Sequence, residues 1–219
     1  MKMKKIIDNR EKILPLLKFK EGIFYYFQVI SRKKDNPGQL RDFHLFSRCV
    51  TSEEIFNFTY EEVVVLCNSY NARCYISLFP RSIEKFTKKL NLLLSSKIAN
   101  DAYTPKIFRA VDSVALDDDI IKWKGVLSSS RCMLDVDSID LDSGLLDSLD
   151  SFLSGKVSIE AVIPSVSGVH YICNNFYPGN IGARRLDNSG NWEFDLQGRT
   201  VTICRDVNTI LYSCTVDKE

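Results

Sequence analysis

The chain is expected to fold as an α+β protein in which mixed sheets carry helices on one face. Three observations lead there. Segments with strand and helix periodicity alternate through both halves of the 219 residues. The composition, 45% apolar and 26% charged, describes a globular chain with enough apolar surface for one large domain or two small ones, which excludes disordered and fibrous classes. No run of 18 apolar residues occurs and the start, MKMKKIIDNREK, lacks the apolar stretch of a secretory leader, so no membrane partner and a cytoplasmic location are expected.

The elements follow in order. Gly22 to Lys34 is rich in β-branched and aromatic residues and is followed by the turn composition DNPGQ; Arg41 to Thr51 reads as its partner strand. A helix is expected from a Thr59 cap, with Glu61 and Glu62 at its positive end, to near Asn71. Arg73 to Phe79 is strand-like. Ser82 opens a helix whose apolar stripe is Ile83, Phe86, Leu90, Leu93, Leu94 and Ile98. Ala102 to Lys124, with Asp117, Asp118 and Asp119, reads as a connecting segment. Beyond it, Arg131 to Val136 is a short buried strand, Ser143 to Leu153 a helix stopped by Gly155, and Lys156 to Ile163, Val169 to Cys173, Trp192 to Asp195, Thr200 to Cys204 and Thr209 to Cys214 are strands.

Charge is unevenly spread. From Met1 to Arg48, twelve Lys or Arg face five Asp or Glu; from Asp112 to Asp150, ten Asp face three basic residues. A basic surface beside an acidic pocket suits a polyanion and divalent cations, and two independent solvated faces give the same counts. The seven cysteines are scattered through apolar stretches without CxxC spacing, which predicts reduced core thiols and no zinc cage.

Two short patterns carry chemistry. Asp135 and Asp137 end an apolar strand one residue apart, so in extended geometry their Cα atoms stand roughly 6.5 to 7 Å apart on one face. Paired carboxylates repel unless a cation lies between them, which points to a divalent metal; an Asp-rich turn is the plainer reading. A calcium loop is excluded because Ile139 takes the third ligand place and no glycine the sixth. In Ser167-Gly168-Val169-His170, a glycine turn leads into a strand, where an imidazole and backbone amides can meet an anionic ligand, or where a histidine is simply satisfied in the fold.

Taken together, these residues resemble the archaeo-eukaryotic primase superfamily, including the primase-polymerases of phages and mobile elements. CMLDVD (Cys132 to Asp137) matches the family's hydrophobic-D-x-D motif. SGVH matches its S-x-H motif loosely, the serine lying three positions before the histidine instead of two. Asp206 in ICRDVNTILY corresponds to the third aspartate, with Asp195 in WEFDLQG as substitute. NARCYISLFPRS, Asn71 to Ser82, also looks like a segment of phage primase-like proteins.

The resemblance implies an N-terminal α/β module over 1–125 and an RRM-like module over 126–219 that carries both motifs. It implies two-metal, template-directed nucleotide addition in phage or mobile-element DNA replication, with Mg2+ or Mn2+ on Asp135, Asp137 and Asp206. Ser167 and His170 would bind the triphosphate, and Arg73 and Arg81 would lie near nucleotide or template. Arg184, Arg185, Lys33 and Lys34 would track a single-stranded DNA template. Nucleoside triphosphates, single-stranded DNA and a helicase or other replication protein are the implied partners. Without a zinc module or helicase segment beside the motifs, a non-catalytic nucleic-acid-binding relative is the alternative, and a nuclease using the same acids ranks third.

Overall fold

The computed structural model describes residues 4–100, 109–121, 131–137, 143–174, 178–185, 191–196, 199–206 and 208–216. The strands are β1 (Lys4–Asp8), β2 (Ile23–Ser31), β3 (Phe43–Val50), β4 (Arg73–Ser77), β5 (Arg81–Ser82), β6 (Cys132–Asp137), β7 (Ser158–Pro164), β8 (Gly168–Asn174), β9 (Arg184–Arg185), β10 (Asn191–Leu196), β11 (Arg199–Asp206) and β12 (Asn208–Val216). The helices are α1 (Arg10–Ile13), α2 (Glu53–Tyr70), α3 (Ile83–Ala99), α4 (Ala110–Ala115) and α5 (Ser143–Leu153). They build two six-stranded sheets, β1-β12-β4-β2-β3 with β5 beside β2, and β7-β8-β6-β11-β10-β9.

The fold is α+β, as expected, but the sheets are not mixed: every strand pair in both is antiparallel. Nor are helices confined to one face of the first sheet. Tyr25, Phe27 and Val29 of β2 pack with Phe56, Tyr60 and Val63 of α2, while Phe24 and Tyr26 pack on the other side with Val114 and Ala115 of α4 and Phe86 and Leu90 of α3. That two-sided cover is why β2 reads IFYYFQVIS, an almost unbroken apolar run instead of an alternation. In the second sheet, α5 covers one face through Leu149, Phe152 and Leu153 against Leu134, Val136, Tyr171 and Phe194.

Each sheet holds a helix crossover that skips one strand: β3-α2-β4 with β2 between, and β6-α5-β7 with β8 between. The chain then departs from two consecutive modules. β11 pairs with β6 and β10, yet β12, two residues further on, lies between β1 and β4 in the first sheet. The expected boundary near residue 125 therefore cuts through the first sheet, because strand partners are chosen across the chain and not along it.

Local signals explain most element ends. Ser52 Oγ accepts from Ile55 N–H at 3.2 Å, so α2 starts two turns earlier than the Thr59 cap implied, with Glu53 and Glu54 in its first turn. It stops at Asn71, whose φ of 48° lies in the left-handed region that asparagine tolerates. Ser82 caps α3 through Lys85 N–H at 3.3 Å. Part of the expected connecting segment is ordered: α4 is tied to β2 and β3 by Tyr26 and Ser47, whose hydroxyls both donate to Asp112. No helix among the described residues is long and apolar enough to cross a membrane.

Arg73 of β4 reaches Asp35 with two hydrogen bonds of 2.5 Å, both side chains buried. Removing one partner strands a charge, so Asp35→Ala is expected to lower stability by about 3 to 5 kcal/mol in urea denaturation. Burial pushes the Cys49 thiol up to about 11 and the Cys67 thiol up to about 12. Unfolded thiols ionise near pH 8.5 to 9, so this contribution to stability is complete at neutral pH and is lost as pH rises from there through the folded values. Denaturant midpoints measured from neutral to alkaline pH check the sign, and Cys67 is expected to stay unmodified by alkylating reagents in the native protein.

Candidate functional site

The second sheet carries its chemistry on the face turned toward the first. Along β6, Leu134 and Val136 join the α5 core, while Met133 joins the core of the first sheet together with Ile163 and Ile172. Antiparallel partners share a face, so the ladder sorts into rows. The deepest row runs Ala161, Ile172 and Met133, apolar across these three strands, and continues to Asp206 on β11. In the next, Ile163, His170, Asp135 and Cys204 stand opposite one another. In the third, Asp137 stands opposite Gly168, the first residue of β8 and part of the glycine turn. The face thus passes within two rows from closed core to polar edge.

Asp135 and His170 are the best-defined pair. Asp135 Oδ1 lies 3.2 Å from His170 Nε2, the aspartate side chain 23% exposed and the histidine 6%. The contact is off the line of a hydrogen bond, so Oδ1 remains a buried carboxylate oxygen with no hydrogen-bond partner. Such an oxygen is costly unless a cation or donor meets it, and a divalent ion fits that need. On its other side, His170 Nδ1 is 2.8 Å from Thr209 Oγ1 at the start of β12, so the imidazole bridges the two sheets. The ring is buried, bonded through Nδ1 and in contact with Asp135 through Nε2, rather than aimed into solvent at a phosphate.

The other expected residues divide. Ser167 is exposed at the β7–β8 turn, one residue before Gly168. Asp206 stands opposite Met133, in the apolar row; with Asp137 two residues past Asp135 in the opposite direction, roughly 13 Å of strand separates the rows of Asp206 and Asp137. The ladder therefore sets Asp135 between the other two acids and does not gather the three around one point. Asp195, the substitute, is exposed on β10 opposite Thr200 and borders a cavity of about 490 Å³ with Asp147, Ser148, Ser151 and Phe152. Among the described residues no three His, Cys, Asp or Glu converge as a metal cluster.

Of the arginines, Arg73 is held by Asp35, at the end of β4 away from Ser77, which pairs with Asn208 beside Thr209. Arg81 is fully buried and donates to the Asp117 carbonyl at 3.0 Å, beneath α4. Neither faces the Asp135 row. Arg184 and Arg185 form the exposed edge strand β9, and Arg184 is ion-paired with Glu193 of β10. Lys33 and Lys34 line a separate basic cavity of about 470 Å³ with Arg32, Pro37 and Asp42.

Two residues near the site were not singled out from sequence. Thr209 offered no motif, since a β-branched residue opening a strand is ordinary. Glu193 did offer one: Asn191, Glu193 and Asp195 alternate with Trp192, Phe194 and Leu196, whose last two members face the α5 core. Glu193 and Asp195 therefore share the face of Asp135, Glu193 opposite Thr202 and Asp195 opposite Thr200. Comparison with family models, with curated proteins and with solved structures found no match.

Because Oδ1 of Asp135 has no donor, Asp135→Asn is expected to change stability by less than about 0.5 kcal/mol. His170→Ala, which leaves buried Thr209 and Asp135 facing a gap, is expected to cost about 1 to 3 kcal/mol. Paired urea titrations of the two variants check the contrast.

Proposed function

We propose that the chain is a primase-polymerase-like nucleotidyltransferase that adds nucleotides on a single-stranded DNA template, in the DNA replication of a phage or mobile element. The observation that carries the reading is the pairing of Asp135 with His170 on adjacent strands, with Asp137 opposite Gly168 of the SGVH turn at the polar edge of the same face. The strand order β7-β8-β6-β11, with α5 behind it, supports the RRM-like arrangement that the resemblance implies.

In this reading Asp135 and Asp137 hold Mg2+ or Mn2+. When bound, the ions neutralise charge on the triphosphate and activate the attacking hydroxyl. Asp135 presents its unpartnered oxygen, His170 keeps that carboxylate aimed, and the Ser167-Gly168 turn lets backbone amides approach phosphate oxygens. Exposed Arg184 and Arg185 meet the template backbone at the sheet edge. For the third carboxylate, Asp206 is the nearer choice, one strand over and one row from Asp135, and Asp195 on β10 is the substitute two strands away. A helicase or another replication protein would be the macromolecular partner.

The enclosure of His170 and the displaced row of Asp206 favour one second reading, a relative that retains nucleic-acid binding without catalysis. Primer synthesis with Mg2+ or Mn2+ is expected from the unaltered chain and not from the doubly substituted Asp135→Ala, Asp137→Ala variant. Equal product from both removes the catalytic claim; salt-sensitive single-strand binding that survives the double substitution, with no synthesis from either, establishes the second reading.

A further inference from the structure

We propose that Thr209 is a positioning residue for Asp135, acting through the imidazole of His170. The inference rests on the reading of Asp135 as a metal carboxylate. The three groups form a chain from one sheet to the other: Thr209 Oγ1 is 2.8 Å from His170 Nδ1, and Asp135 Oδ1 is 3.2 Å from Nε2. A neutral imidazole carries one ring proton, and an ionised carboxylate only accepts, so the proton belongs on Nε2. Nδ1 is then an acceptor, and the hydroxyl of Thr209 donates to it. The hydroxyl thereby selects the tautomer that puts the ring N–H, and not a lone pair, on the side that touches Asp135, so that the imidazole does not repel the carboxylate it holds in place.

The same Thr-His-Asp order is also that of a hydrolytic triad, with Thr209 as nucleophile. Access excludes it. Thr209 is 0% exposed and His170 5%, so a substrate has no path to the hydroxyl, whereas Asp135 beyond the ring is partly open. What remains is an orienting role, supplied to the second sheet by a strand of the first.

The test compares the unaltered chain with Thr209→Val, which keeps the shape, and Thr209→Ser, which keeps the hydroxyl. Nitrogen-15 NMR of the ring nitrogens at mildly alkaline pH reads the tautomer, and since His44 and His170 are the only histidines, a His44→Gln background assigns the signals. Mn2+ affinity is followed by its electron paramagnetic resonance signal. The proton is expected on Nε2 in the unaltered chain and distributed over both nitrogens in Thr209→Val, with Mn2+ binding roughly tenfold weaker and Thr209→Ser restoring both. A proton on Nδ1 in the unaltered chain overturns the proposal whether or not the valine variant folds, and so does a valine spectrum identical to the original. Absence of Mn2+ binding to the unaltered chain instead removes the metal reading of Asp135, while the tautomer comparison still decides the role of Thr209.

Discussion

One buried imidazole holds this molecule's two sheets in their working relation. His170 is gripped by a hydroxyl from β12 and touches a carboxylate on β6, in the row where the shared core gives way to a polar edge. Moving the sheets apart by the width of a water molecule would leave a buried ring nitrogen and a buried hydroxyl without partners, a cost of about 1 to 3 kcal/mol for each group. Other sheet-to-sheet bonds reinforce the seam. Asn9 is buried and donates to the carbonyls of Pro164 and Ile210 at 2.9 and 2.8 Å, and Arg131 reaches the Leu16 carbonyl while paired with Glu160. These contacts surround the shared apolar patch of Met133, Ile163 and Ile172 with polar ones.

Much of the architecture could be read along the chain because its signals are local. Helix Ser143–Leu153 has the expected limits, and the serine before Ile83 does cap the next helix. The strands that were expected differ from the observed ones by up to three residues at their ends, as element ends usually do, whereas β1, β5 and β9 had no expected counterpart. The start of α2 was missed although Ser52, Glu53 and Glu54 advertise it, since Phe56, Phe58 and Tyr60 weigh toward strand composition. Two-sided burial of β2 was also present in its unbroken apolar run.

Partner choice was not legible. Nothing in NTILYSCTV says whether the strand completes the second sheet or returns to the first; only tertiary packing decides. The site suffers from the same gap. The Asp135–His170 pairing follows from two short motifs on strands joined through the β7–β8 hairpin, but the position of Asp206 depends on a register that no spacing reveals. Arg73 and Arg81 were drawn toward the nucleotide by likeness of a segment, and the charges and carbonyls that hold them, Asp35 and Asp117, lie more than thirty residues away.

The return of the last strand bears on how the protein is made. β12 sits between β1 and β4, so until it has been made β1 has no partner in the first sheet and β4 keeps an unpaired edge. Closure then joins segments some two hundred residues apart, Asn9 bonding Leu211 and Ile210 among them, which slows this step by loop-closure entropy. A nascent chain of this design needs shielding from its neighbours on a polysome until its closing segment has emerged.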